Sequence, residues 1–163
     1  MEASSARRGS YLDFSRLSRG EFFGMFSALV LVGSLFLPWF STSDSNPNSL
    51  IDGKQGEFNA FETFSTLQWW LIAGATAPFI LAWIIARGHK LTWNPGEVTM
   101  IVGVTAAVLI LLNGIILGKP GDTVEIGFQI GYLVGLLGAM GIAAGGYLRQ
   151  AGYIRGRKPP GTL

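Results

Sequence analysis

The chain has 163 residues, 49% hydrophobic and 13% charged, about half the charged share of an average soluble domain. A net charge of +2 leaves no broad basic surface for nucleic acid. With no cysteine and one histidine, His89, there is no disulfide, thiolate metal site or histidine-rich metal centre. What remains is concentrated in four long apolar stretches that carry almost no charge. The fold class expected is therefore an all-α membrane protein, a four-helix transmembrane bundle.

Each stretch is preceded by a small polar residue followed three places later by a glutamate: Ser18…Glu21, Asn59…Glu62, Asn94…Glu97 and Asp122…Glu125. That spacing lets the first side chain cap a helix start while the glutamate reaches back to it. After a lead, residues 1–21, holding Arg7, Arg8, Arg16 and Arg19, the first span is expected at about 22–40. It closes on Leu37-Pro38-Trp39-Phe40, which reads as an exit through the membrane interface. The stretch is too long for the apolar centre of a secretory signal, so a retained span is expected.

Residues 41–66 form the one long loop. Its Ser/Asp/Asn/Pro-rich start, Ser41 to Ser49, predicts no packed core, and Phe58, Phe61 and Phe64 recur at a spacing that predicts a short amphipathic helix. The second span, about 67–86, carries Pro78, which predicts a kink. The third, about 98–117, opens on Asn94-Pro95-Gly96-Glu97, with proline at the first helical position. Lys119-Pro120-Gly121-Asp122 predicts a tight turn into the fourth span, about 126–148, and residues 149–163 form a basic tail. About 20 residues at 1.5 Å each match a hydrocarbon core of about 30 Å. All 163 residues are read as one membrane domain.

Ten of the 12 lysines and arginines flank the spans on one side: Arg7, Arg8, Arg16, Arg19, Arg87, Lys90, Arg149, Arg155, Arg157 and Lys158. Only Lys54 and Lys119 fall on the other. The positive-inside rule then places both termini in the cytoplasm. Trp39, Trp69 and Trp70 fall at the outer boundary, and Trp83, Trp93 and Tyr147 at the inner one, as an aromatic belt requires. The tail cations are expected to meet anionic lipid headgroups.

Small residues recur along two spans. Gly127, Gly131, Gly135, Gly138, Gly141 and Gly145 share one face of the fourth. Gly103, Ala107 and Gly114 mark the third. Such stripes let helix backbones approach closely in lipid. The expectation is packing of the third span on the fourth, the alternative a homo-oligomer or another membrane protein as partner. No ionisable residue is expected deep in a span. The polar residues at depth are amides and hydroxyls. Glu62, Gln68, Asn113, Glu125 and Gln129 are the candidates for an outward-facing polar pocket, with interhelical hydrogen bonding as the plainer alternative. Glu125, Gln129 and Tyr132 are expected on a face turned away from the bundle.

Ser18-Arg19-Gly20-Glu21, Leu35-Phe36-Leu37-Pro38-Trp39-Phe40 and Phe58-Asn59-Ala60-Phe61-Glu62 together resemble small four-span membrane proteins of unknown function from actinomycete-type bacteria. That resemblance implies a bacterial inner-membrane location and carries no catalytic residue with it. The four-span layout with a large outer loop also looks like claudin-type proteins, but their paired loop cysteines are missing. No phosphate-binding loop, metal-ligand spacing or nucleophile–base pair occurs. The function expected is a non-enzymatic multi-pass protein acting as a structural, accessory or partner-binding subunit. The alternative is a small oligomeric channel or facilitator. No cofactor is expected.

Overall fold

The computed structural model describes residues 12–89, 91–121 and 125–154. Arg7, Arg8, Lys90, Asp122, Arg155, Arg157 and Lys158, all invoked above, lie outside them.

The first helix, α1, runs Arg19–Ser34, and both the N–H and the hydroxyl of Ser18 donate to the Glu21 carboxylate at its start. It ends six residues short of the expected Phe40. Leu35, Phe36 and Leu37 tighten into a turn of i−3 bonds at 3.0–3.2 Å. Pro38 then has no N–H to continue the ladder and disfavours helical torsions at Leu37. The chain leaves as a strand, β1 (Pro38–Ser41). It pairs antiparallel with β2 (Glu57–Asn59) on one side and β3 (Gly127–Phe128) on the other, with Phe40 opposite both Phe58 and Phe128. This three-stranded sheet corrects the all-α expectation.

The Asn59…Glu62 box forms as expected, but it caps a single turn, α2 (Ala60–Thr63), and not the helix that follows. Asn59 Oδ1 accepts from the N–H groups of Phe61 and Glu62, and Glu62 accepts from Asn59 N at 3.0 Å. The next long helix, α3, is Leu67–Ala86 with Pro78 inside. Its end is closed by Gly88 at φ +74°, the left-handed conformation that glycine adopts freely. The fourth, α4 (Pro95–Leu111), begins under the Asn94 cap, whose Oδ1 accepts from Gly96 N at 3.0 Å. It continues as a widened π turn, Leu112–Ile116, around Asn113.

The last helix, α5, is Ile130–Ile154 and starts four residues later than expected. Glu125 sits at φ +79°, which no helix start tolerates, and Gly127–Phe128 are in the sheet. Glu125 therefore begins no helix, and Gly127 belongs to a strand.

Among the described residues, three helices are long and apolar enough to cross a membrane: Leu67–Ala86, Pro95–Ile116 and Ile130–Ala151. The shorter α1 has 16 residues, about 24 Å at 1.5 Å each. Helix α5 packs on α1 with one face and on α4 with another, and α3 lies against both α1 and α4.

The glycines explain this. A Cβ on Gly131, Gly135, Gly138, Gly141 or Gly145 would fall 2.4–2.8 Å from atoms of α1 or the segment after it. So the glycine face of α5 receives α1, where packing against the third long helix was expected. Helix α4 lies on a different face of α5. A Cβ on Gly103 would come 2.2 Å from Ala143 N, and one on Gly114 would strike the Tyr132 ring. Ala107 is half-buried beside the core.

The core gathers Leu31, Leu35, Trp39, Phe40, Ile51 and Tyr132 at the sheet end. Two expectations change here. Trp39 is not a belt residue: it is 0% exposed, and its Nε1–H donates to Ser34 O at 2.8 Å. The loop is not free of the core either, since Ile51 and Ser49 are buried, and Ser43 N donates to Ser49 Oγ at 3.0 Å. Trp69, Trp70, Trp83, Trp93 and Tyr147 are exposed.

Two alanine substitutions separate clearance from helix propensity. Gly33 has nothing within 4 Å of a would-be Cβ, so Gly33→Ala is expected to stabilise by about 0.5–1 kcal/mol. Gly103→Ala is expected to destabilise by about 1–3 kcal/mol through backbone displacement. Thermal unfolding of both variants in one detergent checks this, and shifts of the same sign would refute the close-packing account.

Candidate functional site

Among the five residues expected to form an outer pocket, the side chains of Glu62, Gln68, Asn113 and Gln129 make local hydrogen bonds, while Gln68 Oε1 is buried without one. Glu62 is exposed and caps α2. Gln68 is buried in the first turn of α3, where its Nε2 donates to Ser65 O at 3.4 Å. Asn113 Nδ2 donates to Leu109 O at 2.9 Å, one turn back, where α4 widens. Gln129 Nε2 donates to Ser41 Oγ at 2.7 Å, and Gln129 N to Trp39 O at 2.9 Å, stitching the sheet to α5. The Glu125 side chain is exposed, and its carbonyl accepts from Ser49 Oγ at 3.5 Å. Among the described residues, no hydrogen bond joins two of the five.

Tyr132 is likewise not turned away from the helices. It is 2% exposed, packed against Trp39, Phe40 and Phe128, with centroids 4.6–5.7 Å apart. Its hydroxyl donates to Ile110 O at 3.1 Å. That bond ties α5 to α4 just ahead of the widened turn.

The strongest polar arrangement lies at the opposite end of the helices. Glu21, in the first turn of α1, forms an ion pair with Arg149 near the end of α5. The two are 8% and 4% exposed. Glycines make this contact possible: Gly20 and Gly96 crowd the Arg149 backbone and Cβ, leaving no space for side chains of their own. A cavity of about 10 Å³ lies beside the pair, bounded by Gly24, Pro78, Thr99, Gly145 and Gly146. It is the size of one water molecule.

Sequence reasoning placed Glu21 in a cap and Arg149 in the basic tail at the headgroups, and expected no ionisable residue deep in a span. The overlooked signal is spacing: Arg149 follows Gly141 and Gly145 at the same interval of four, so it continues the face that meets α1.

Around the pair, other polar groups join the same helix ends. The Asn94 side-chain amide donates to Gln150 Oε1, and Gln150 Nε2 donates to Glu97 Oε1 at 3.0 Å. Glu97 thus binds α5, while Asn94 does the capping. Asp13 N donates to Ala86 O at 2.9 Å, fastening the lead segment to the end of α3. Hydrogen bonds from the Ser15 hydroxyl and N–H, aided by Arg16, hold the Asp13 carboxyl below its ordinary range. Arg87 lies 4.0 Å over the Trp83 ring.

Chemically, this is an anchoring arrangement. A carboxylate with one oxygen taken by a helix cap and the other facing a guanidinium is a structural tie between two helices. Among the described residues, no group of three or more His, Cys, Asp or Glu is placed to hold a metal ion.

Removing one partner leaves the other buried and charged. Arg149→Met is expected to cost about 3–5 kcal/mol of stability, read as a lowered denaturation midpoint in detergent. A cost below about 1 kcal/mol would mean the pair behaves as a surface contact.

Comparison with protein-family models, curated proteins and solved structures returned no match.

Proposed function

We propose that this chain is a multi-pass protein of a bacterial plasma membrane. It crosses four times, with both termini cytoplasmic, and serves without enzymatic activity as a structural, accessory or partner-binding subunit. One observation carries the reading. The start of α1, the end of α3, the start of α4 and the end of α5 meet at a single polar junction, through Glu21–Arg149, Asn94–Gln150 and Asp13–Ala86. Successive long helices therefore run in alternate directions. If three of them cross a bilayer, α1 crosses with them.

The length of α1 supports this role. Its 16 residues cover about 24 Å, and the turn and β1 carry the chain further. Exposed Phe22, Phe26 and Leu29 give it an outward apolar face. Arg16, Arg19, Arg87 and Arg149 lie at the junction end, and Lys54 and Lys119 lie in the connections at the other. That asymmetry favours the junction as the cytoplasmic end. The tail cations would then meet anionic headgroups, each contributing about 1 kcal/mol. The sheet and the 41–66 loop would form the outward cap and the surface offered to a partner. The resemblance to four-span actinomycete-type proteins points the same way. The local hydrogen bonds of Glu62, Gln68, Asn113 and Gln129 favour an accessory role over a conducting one.

Topology reporters test the reading. Alkaline phosphatase, active only outside the cytoplasm, is expected to be active when fused after Asn48 and inactive when fused after Gly88 or Leu163. High activity at Leu163, or equal activity at Asn48 and Gly88, would overturn four crossings with internal termini.

A further inference from the structure

Helices α1 and α5 face each other antiparallel in a strict order. Gly145 meets Gly20 and Gly24, Gly141 meets Ser27, Gly138 meets Leu31, Gly135 meets Ser34 and the Trp39 ring, and Gly131 meets the Pro38 carbonyl and the same ring. Each step of three or four along α1 is matched by a step of three or four back along α5. Such an interface has a weakness. Slide α1 by one turn, and Gly141, Gly138, Gly135 and Gly131 meet Gly24, Ser27, Leu31 and Ser34. These are again small residues and one leucine, in the same spacing. Steric fit between glycine and small side chains therefore does not select between the two registers.

Something else must select: at the sheet end Trp39 over Gly131 and Gly135 and the Gln129 bonds to Trp39 O and Ser41 Oγ hold the segment after α1, and contacts at both ends act on the helix itself. At the sheet end, β1 pairs with β3 over two residue pairs, Phe40 with Phe128 and Ser41 with Gly127. That ladder lies beyond the Leu35–Leu37 turn, which separates it from α1. At the junction end, Glu21 meets Arg149 directly from helix to helix. One turn of sliding would move the carboxylate opposite Gly145 or its neighbours and leave both charges buried without each other. The cost of an unpaired buried charge far exceeds any difference in packing between the registers.

We infer that the Glu21–Arg149 pair is a register lock: it fixes which turn of α1 sits against which turn of α5, and with it the position of β1 in the sheet. The pair is a positioning device. Replacing both charges with uncharged residues is expected to leave a folded protein that no longer holds one register. This is independent of how many times the chain crosses the bilayer and of its orientation.

The native chain has no cysteine, so two introduced cysteines carry spin labels without background. Leu29 on α1 and Leu148 on α5 are both exposed and outside the interface, so Leu29→Cys and Leu148→Cys leave the packing intact. Pulsed electron paramagnetic resonance on the purified full chain is expected to give one distance. In the Glu21→Gln/Arg149→Met background, where glutamine still accepts from Ser18, a second population is expected, displaced by about 5 Å, one helical turn. Arg149→Lys, which keeps the charge, is expected to keep the single distance. An unchanged single distance in the double variant would overturn the lock. So would loss of cooperative unfolding in that variant, since the pair would then supply the fold itself and not its register.

Discussion

Backbone approaches backbone where α1 crosses α5, and the remaining architecture follows from that contact. Glycine is disfavoured inside a helix by about 1 kcal/mol relative to alanine, and five of them line one face of α5. The return comes from proximity. With no side chains on the α5 side of the contact, the two helices exchange van der Waals contacts along their shared length, the force that drives helix association where lipid removes the hydrophobic gain. The contact does not stop where α1 does. After Leu35–Leu37 the chain re-enters as β1 and pairs with β3, the strand that leads into α5. A helix pair thus passes into a strand pair in the same antiparallel sense, joined by Trp39, which fills the slot above Gly131 and Gly135.

Since α5 meets α1 on its glycine face and α4 on the face carrying Ala139, Ala143 and Gly146, it is the central element, and α3 is the peripheral one. The looser fit of α3 is visible as an apolar groove of about 220 Å³ between it and α4, bordered by Trp70, Gly74 and Thr105. Pro78 is buried on the inner side of α3, near Gly24 of α1. The proline that breaks the α3 ladder therefore faces the protein, where neighbouring groups are available, and not the hydrocarbon.

The parts of this fold legible in the sequence are those set by local rules. Asn94-Pro95 and Ser18…Glu21 mark true helix starts, because capping depends on residues three apart. Asn59…Glu62 forms its box, yet a box closes one turn as readily as twenty residues, so it could not say which helix it serves. The ends of the first and fourth apolar stretches were unreadable for another reason. Pro38 to Phe40 and Ile126 to Phe128 are as apolar as helix, and in so short a run hydropathy does not separate a strand from a helix. Trp39 was misplaced on the same ground, as an indole suits an interface and a glycine-lined slot equally. Arg149 was hidden by its position at the edge of a basic tail, although its spacing from Gly145 already set it on the buried face.

The polar residues obey a further constraint, which separates structure from function more sharply than their identities do. A bilayer gives no water to backbone groups released by irregular structure, so each irregularity must bring its own partner. Asn113 lies in the widened turn of α4, Gln129 at the step from strand to helix, Gln68 at the start of α3 and Glu62 at the start of α2. The bonds of Asn113, Gln68 and Glu62 each reach a backbone group where the helical pattern begins or widens, and that of Gln129 ties strand to helix, so the apparent ring of outer polar groups reflects where the backbone is irregular. Glu21 and Arg149 differ in kind. Ser18 takes one carboxylate oxygen for the cap, while the guanidinium reaches the other from a separate helix. It is this second, inter-helical bond that the local demands of the backbone do not explain.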